Sequence, residues 1–135
     1  MPRLRRYAAV LAIAVAFVAA TASPASASIP IGQPINGIST WYNDAGYGAC
    51  GTQLNAATDW LVAAPYAYWT TANPNNDPIC NLSIEVTYQG NTIRVPVRDK
   101  CPSCDASHID LSAPAFGSLA NRDIGVIQVT WKFVN

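Results

Sequence analysis

Residues 84–98 constrain the fold more than any other stretch. Ile84, Val86 and Tyr88 alternate with Glu85, Thr87 and Gln89; Ile93, Val95 and Val97 then alternate with Thr92, Arg94, Pro96 and Arg98. A period of two puts each apolar set on one face of a strand. Gly90-Asn91 between the runs reads as a two-residue turn, so the stretch predicts an antiparallel hairpin with one face to bury. Pro96 lacks an N–H, which places it at an edge or a bulge.

The flanking sequence supplies partners of the same kind. Gly37–Tyr42 is rich in β-branched and aromatic residues and predicts a first strand. Leu61–Ala64 predicts a short buried strand, with Pro65 opening a brief helix through Trp69. Ile127, Val129, Trp131 and Phe133 form the buried face of a last strand. Ser112 is placed to cap a short helix with Pro114 in its first turn and Ala115, Phe116, Leu119 and Ala120 as its apolar stripe. Ser28–Pro34, with two prolines, reads as an extended lead, whereas the glycines of Asn43–Gly51 and the Asn, Asp and Pro of Thr70–Pro78 read as loops, the second exposed. Five or six short strands with two small helices and no βαβ order predict a mainly β, compact barrel.

That barrel occupies residues 28–135. Ahead of it, Arg3, Arg5 and Arg6 precede the apolar run Tyr7–Ala20, and Ala25-Ser26-Ala27 resembles a cleavage site, so residues 1–27 read as a secretory signal peptide. The run is 14 residues, short of the roughly 20 a spanning helix needs. The expected product is a secreted, extracellular protein. Without its leader the chain carries five basic residues against eight acidic, a net charge of −3. A mildly acidic surface without a basic stripe argues against nucleic acid and anionic membranes as partners.

A domain this small gains from covalent ties. Cys50, Cys80, Cys101 and Cys104 are an even set in a chain with an export leader, which favours disulfides. Of three possible pairings, Cys50 with Cys80 and Cys101 with Cys104 is the one expected. In the chain-entropy model the longer loop contributes about 3–4 kcal/mol and the shorter about 2. Cys101-Pro102-Ser103-Cys104 with a single histidine is too few ligands for zinc, and no βαβ unit surrounds it as a redox site requires. No metal or cofactor is expected.

Asp99 and Asp110, eleven residues apart around that turn, are the candidates for paired-carboxylate chemistry, in which one group stays protonated and the other ionised. The structural reading competes: Asp110 as a carboxylate at a helix start, Asp99 paired with Arg98 or Lys100. His108 has no Gly-x-Ser-x-Gly elbow to serve and reads as a packed, hydrogen-bonded histidine. Trp41, Tyr42, Tyr47, Tyr66, Tyr68 and Trp69 gather near the loops of the first half, a composition that suits protein recognition or sugar stacking.

Thr40-Trp41-Tyr42, Gly48-Ala49-Cys50-Gly51, a strand ending in Asp99, and His108-Ile109-Asp110-Leu111-Ser112 with Phe116 resemble the six-stranded double-psi β-barrel of expansins, barwin-like and RlpA-like proteins. The segments 28–33, 47–52, 69–71, 73–78 and 95–105 resemble more closely the secreted papain inhibitors of filamentous actinobacteria. That resemblance implies a non-enzymatic inhibitor of papain-like cysteine proteases, expected to block the cleft non-covalently; a small acidic barrel without an obvious apolar stripe is expected to be a monomer. Its surface is expected in the aromatic and proline-rich loops, at Tyr42, Tyr47, Trp69, Asn73, Pro74 and Asn75. The expansin and RlpA resemblance implies the alternative, a domain that acts on or binds cell-wall polysaccharide through Asp110 with Asp99. The base near the first strand that such enzymes need has only Asp44 as a candidate.

Overall fold

The structure, a computed structural model, describes residues 12–17 and 28–135. The arginines and the cleavage-like site of the expected signal peptide lie outside the described residues. In chain order the elements are β1 (Ile35–Tyr42), β2 (Ala45–Tyr47), β3 (Gln53–Asn55), β4 (Val62–Pro65), β5 (Ser83–Tyr88), β6 (Asn91–Cys101), β7 (His108–Ser112), α1 (Ala113–Leu119) and β8 (Ile127–Val134). Short 3-10 turns occupy Tyr66–Tyr68, Pro74–Asn76, Pro78–Asn81 and Arg122–Ile124.

Six strands close a barrel in the order β1-β7-β4-β6-β5-β8, and β2 and β3 form a separate two-stranded sheet. The alternating stretch is the hairpin β5–β6, with Ile84 opposite Val95 and Val86 opposite Ile93. Ile84, Val86, Val95 and Val97 are fully buried, each contributing about 1.5–3 kcal/mol by leaving water. The turn is one residue earlier than expected: Tyr88 pairs with Asn91, so Gln89 and Gly90 form it, at φ 46° and 82°. Both central residues are left-handed, the twist that a two-residue hairpin requires.

Pro96 faces Ser83 on β5, while pairing with β4 starts only at Val97 and then skips to Asp99. Its missing N–H therefore falls just before that ladder begins, and Arg98 is the bulged residue. On β8, Trp131 and Phe133 are buried with their ring centroids 5.2 Å apart and edge-to-face. Tyr68, expected near a loop, closes this cluster, 5.1 Å from Phe133.

Three further features depart from the sequence expectation. The barrel contains parallel pairs, β1 with β7 and β4 with β6, which join segments far apart in the chain and leave no local pattern. The Asn43–Gly51 loop contains strand β2. The Thr70–Pro78 loop is not wholly exposed, for Asp77 within it is 2% exposed. The lead is held by a bridge between Ile31 and Phe133 and by the Gly32 N–H on the Phe133 carbonyl, 2.8 Å away.

Candidate functional site

The parallel pairing of β1 and β7 sets Thr40 beside Asp110 and Ile38 beside His108. Thr40 Oγ1 donates to Asp110 Oδ1 at 2.9 Å and lies 2.8 Å from His108 Nε2. A hydroxyl has one proton to give, so Nε2 is the donor to Thr40 and His108 carries its hydrogen there. Asp110 is pushed above the ordinary carboxylate range by burial; the Thr40 hydroxyl and His108 oppose the shift, while Asp44 and Asp99 add to it. His108 is thus a hydrogen-bonded histidine. Asp110 does not cap α1, because its carboxylate is spent on Thr40 within the barrel. Nor does Ser112 cap it by side chain: its Oγ accepts the Leu61 N–H instead, at 3.2 Å.

Asp99 has a different task. Oδ1 accepts the N–H groups of Ala49 and Lys100, each at 2.9 Å, and Oδ2 accepts the Tyr42 hydroxyl at 3.0 Å. Lys100 binds it through backbone; its ammonium lies over the Tyr66 ring, 4.5 Å from the centroid, a cation–π contact. Burial, with Asp99 beside it, holds Tyr42 protonated far above the ordinary phenol range. Asp99 is therefore neither an ion-pair partner of Lys100 nor a free base; it braces the loop that carries Cys50.

That loop is half of a platform. Cys50 is bonded to Cys80, and Cys101 to Cys104. The other half is organised by Asp77, whose Oδ2 accepts from Thr70 N at 2.7 Å and Thr71 N at 2.9 Å while Oδ1 accepts from Ile79 N at 3.1 Å. Burial would raise its pKa, but these backbone donors outweigh it and hold the carboxyl below the ordinary range. Asn73 Oδ1 accepts from Asn75 N at 3.1 Å, and the Asn75 side chain rests on Gly51, where an added Cβ would lie 2.7 Å from Asn75 Cγ.

The expected surface residues divide by exposure. Tyr47 is 81% exposed, and Asn73 and Asn75 are exposed on the second loop. Pro74 is half-buried, Tyr42 is half-buried with its hydroxyl on Asp99, and Trp69 packs against the core with Nε1 donating to the Ala64 carbonyl at 3.3 Å. Sequence reasoning passed over Asp77 and Thr40. Asp77-Pro78 carried a signal, an Asx cap ahead of a proline that opens a 3-10 turn. Thr40 carried none, since only the β1–β7 register gives it partners. Among the described residues no three His, Cys, Asp or Glu side chains are grouped to hold a metal ion.

A double-psi β-barrel family model described as lytic transglycolase matches residues 35–131. The chain belongs to this family. The papain inhibitor of Streptomyces mobaraensis is 58% identical over 98% of this chain and 94% of its own. A solved Streptomyces papain inhibitor is 62% identical, covering 80% of this chain and all of that one, with a TM-score of 0.79. A Clavibacter michiganensis expansin variant, solved with cellohexaose, is 27% identical over 76% of this chain with a TM-score of 0.64, and the matched part is 51% of that protein. The double-psi family members thus share the barrel, but the sequence similarity is far greater to the inhibitors.

Proposed function

We propose that this protein is a secreted, non-enzymatic inhibitor of papain-like cysteine proteases that fills the active cleft with its surface loops as a monomer. The observation that carries the reading is the 58% identity to the Streptomyces mobaraensis papain inhibitor, spread over 98% of the chain. The geometry suits such a role. A cleft that binds extended backbone selects a partner already held in its bound shape, because ordering a loop at the moment of binding costs affinity. Here the loops around Cys50 and Cys80 are joined by a disulfide and braced by Asp99 and Asp77. Two disulfides also suit an oxidising, extracellular destination, the one the leader implies. Candidate contacts are Tyr47, Asn73 and Asn75, with Tyr42, Trp69 and Pro74 as their supports.

A second reading, binding of cell-wall polysaccharide, is favoured by Asp110, a half-buried carboxyl with a raised pKa beside Thr40 and His108. Turnover is disfavoured, since Asp99 has both oxygens engaged and is not available as the partner base. Titrating residues 28–135, which contain the whole closed barrel, against active-site-counted papain tests the first reading. Stoichiometric loss of activity without consumption of the barrel is expected; full papain activity at micromolar excess refutes it. Co-sedimentation with isolated cell walls, weakened in Asp110→Asn, tests the second.

A further inference from the structure

The inhibitor reading leaves open which segment enters the cleft and why the protease does not cut it. Resting on that reading, we propose that Tyr47-Gly48-Ala49 is the segment, with Tyr47 in an apolar subsite and the Gly48–Ala49 peptide bond facing the attacking thiolate. Tyr47 has the highest exposure, 81%, of the large apolar side chains of the barrel domain. It ends β2, a three-residue strand that pairs with β3 alone among the described residues, so its outer edge is free. A free edge and a bulky aromatic side chain are what a cleft reading extended backbone requires.

Immediately after Tyr47 the chain stops resembling a substrate. The Gly48 carbonyl accepts the Gly51 N–H at 3.0 Å, and the Gly48 N–H donates to the Thr52 carbonyl at 3.0 Å. The Ala49 N–H is held by Asp99 Oδ1 at 2.9 Å and the Cys50 N–H by the Arg98 carbonyl at 3.3 Å. Gly48 lies so close to β6 that a Cβ there would be 2.6 Å from the Arg98 oxygen. The loop is thus pinned to the barrel on the leaving-group side of the bond.

Cleavage would need the thiolate sulfur to bond to the Gly48 carbonyl carbon while the carbonyl electron pair moves onto oxygen. The C–N bond would then break, with the Ala49 nitrogen taking a proton from the protease imidazolium. The oxygen is already committed to Gly51, which turns it from the protease's oxyanion donors. The departing nitrogen stays tethered through Asp99 and the Cys50–Cys80 bond, so it remains beside the acyl carbon at high effective concentration and re-forms the bond. On the neighbouring loop, the Asn75 side chain seats on Gly51, the residue that holds the Gly48 carbonyl.

The test uses the disulfide-intact protein with active-site-counted papain, measuring the inhibition constant and, by mass spectrometry, any cut. Tyr47→Ala is expected to weaken inhibition about tenfold or more with unchanged thermal stability. Tyr47→Phe keeps it, and Ile124→Ala, which trims an exposed apolar side chain elsewhere, leaves it unchanged. Cys50→Ala/Cys80→Ala becomes a substrate, cut first between Gly48 and Ala49. If the parent inhibits and Tyr47→Ala inhibits equally well, or the bridge-free protein is cut first elsewhere, this segment assignment is overturned while the inhibitor reading stands. If the parent does not inhibit, the inhibitor reading itself falls. Where the bridge-free protein does not fold, the Tyr47 variants decide alone.

Discussion

Asp77, in the loop that carries Cys80, is 2% exposed, whereas Asp110, on a barrel strand, is only half-buried, yet Asp110 has the raised pKa and Asp77 the lowered one. Burial pushes both carboxyls up, so it does not by itself set the sign. What separates them is the supply of donors. Asp77 collects three backbone N–H groups and the Thr71 hydroxyl, while Asp110 has the Thr40 hydroxyl and faces Asp44 and Asp99. A carboxylate surrounded by fixed N–H dipoles is better solvated than one left beside like charges. The loop region is thus braced by fixed donors, whereas the Thr40–His108–Asp110 cluster carries a group poised to take up a proton.

The sharpest way to break this contrast is to remove the covalent tie of the loop region. Cys50→Ala/Cys80→Ala should lose about 3–4 kcal/mol, and Cys101→Ala/Cys104→Ala about 2; denaturant unfolding of both variants would show whether the long bridge dominates. Next, Asp77→Ala leaves the N–H groups of Thr70, Thr71 and Ile79 without their acceptor and should cost about 2–3 kcal/mol. Faster amide exchange confined to residues 70–80 is the expected signature, and uniform loss across the barrel would contradict a local role.

The pH dependence of the two carboxylates has opposite signs. The folded-state pKa of Asp77 is depressed, so its contribution is fully present above the unfolded value of about 4 and lost as pH falls through the lower folded value. Asp77→Asn should therefore show less acid sensitivity below pH about 4 than the parent. In the Thr40–His108–Asp110 cluster, Thr40→Val should cost about 1 kcal/mol and displace the His108 ring resonances in NMR, since the shared hydroxyl is gone. The smallest effect belongs to Asp110→Asn. Because the folded pKa of Asp110 is raised, its contribution is present below the unfolded value and lost as pH rises through the folded one. The variant should match or slightly exceed the parent in melting temperature at neutral pH, with the difference fading in acid.

Much of the barrel was legible in the residues themselves. Alternation at 84–98 and 127–133 marked the buried strand faces because side chains alternate sides whatever the partner strand. The hairpin turn was misplaced by one residue, since Gln89, not Asn91, takes the left-handed position beside Gly90, an exception to the residue preferences on which such readings rest. Asp99 looked catalytic because Asp110 lies eleven residues on, and ion-paired because Arg98 and Lys100 flank it. Beyond the backbone N–H of Lys100, its partners Tyr42 and Ala49 are 57 and 50 residues away.

Local chemistry by itself determined the β class, the short strands, the turn-rich loops and the four cysteines available for bridging, since each depends on side-chain periodicity or residue type. Tertiary structure alone decided that β1 lies parallel to β7, placing the Thr40 hydroxyl between His108 and Asp110 across 68 and 70 residues. It also decided that Asp99 serves the loop of Cys50 rather than a substrate. The reason is physical: a parallel pairing joins distant segments without a short turn to record it, and a carboxylate's role follows from the donors that closure of the barrel brings to it.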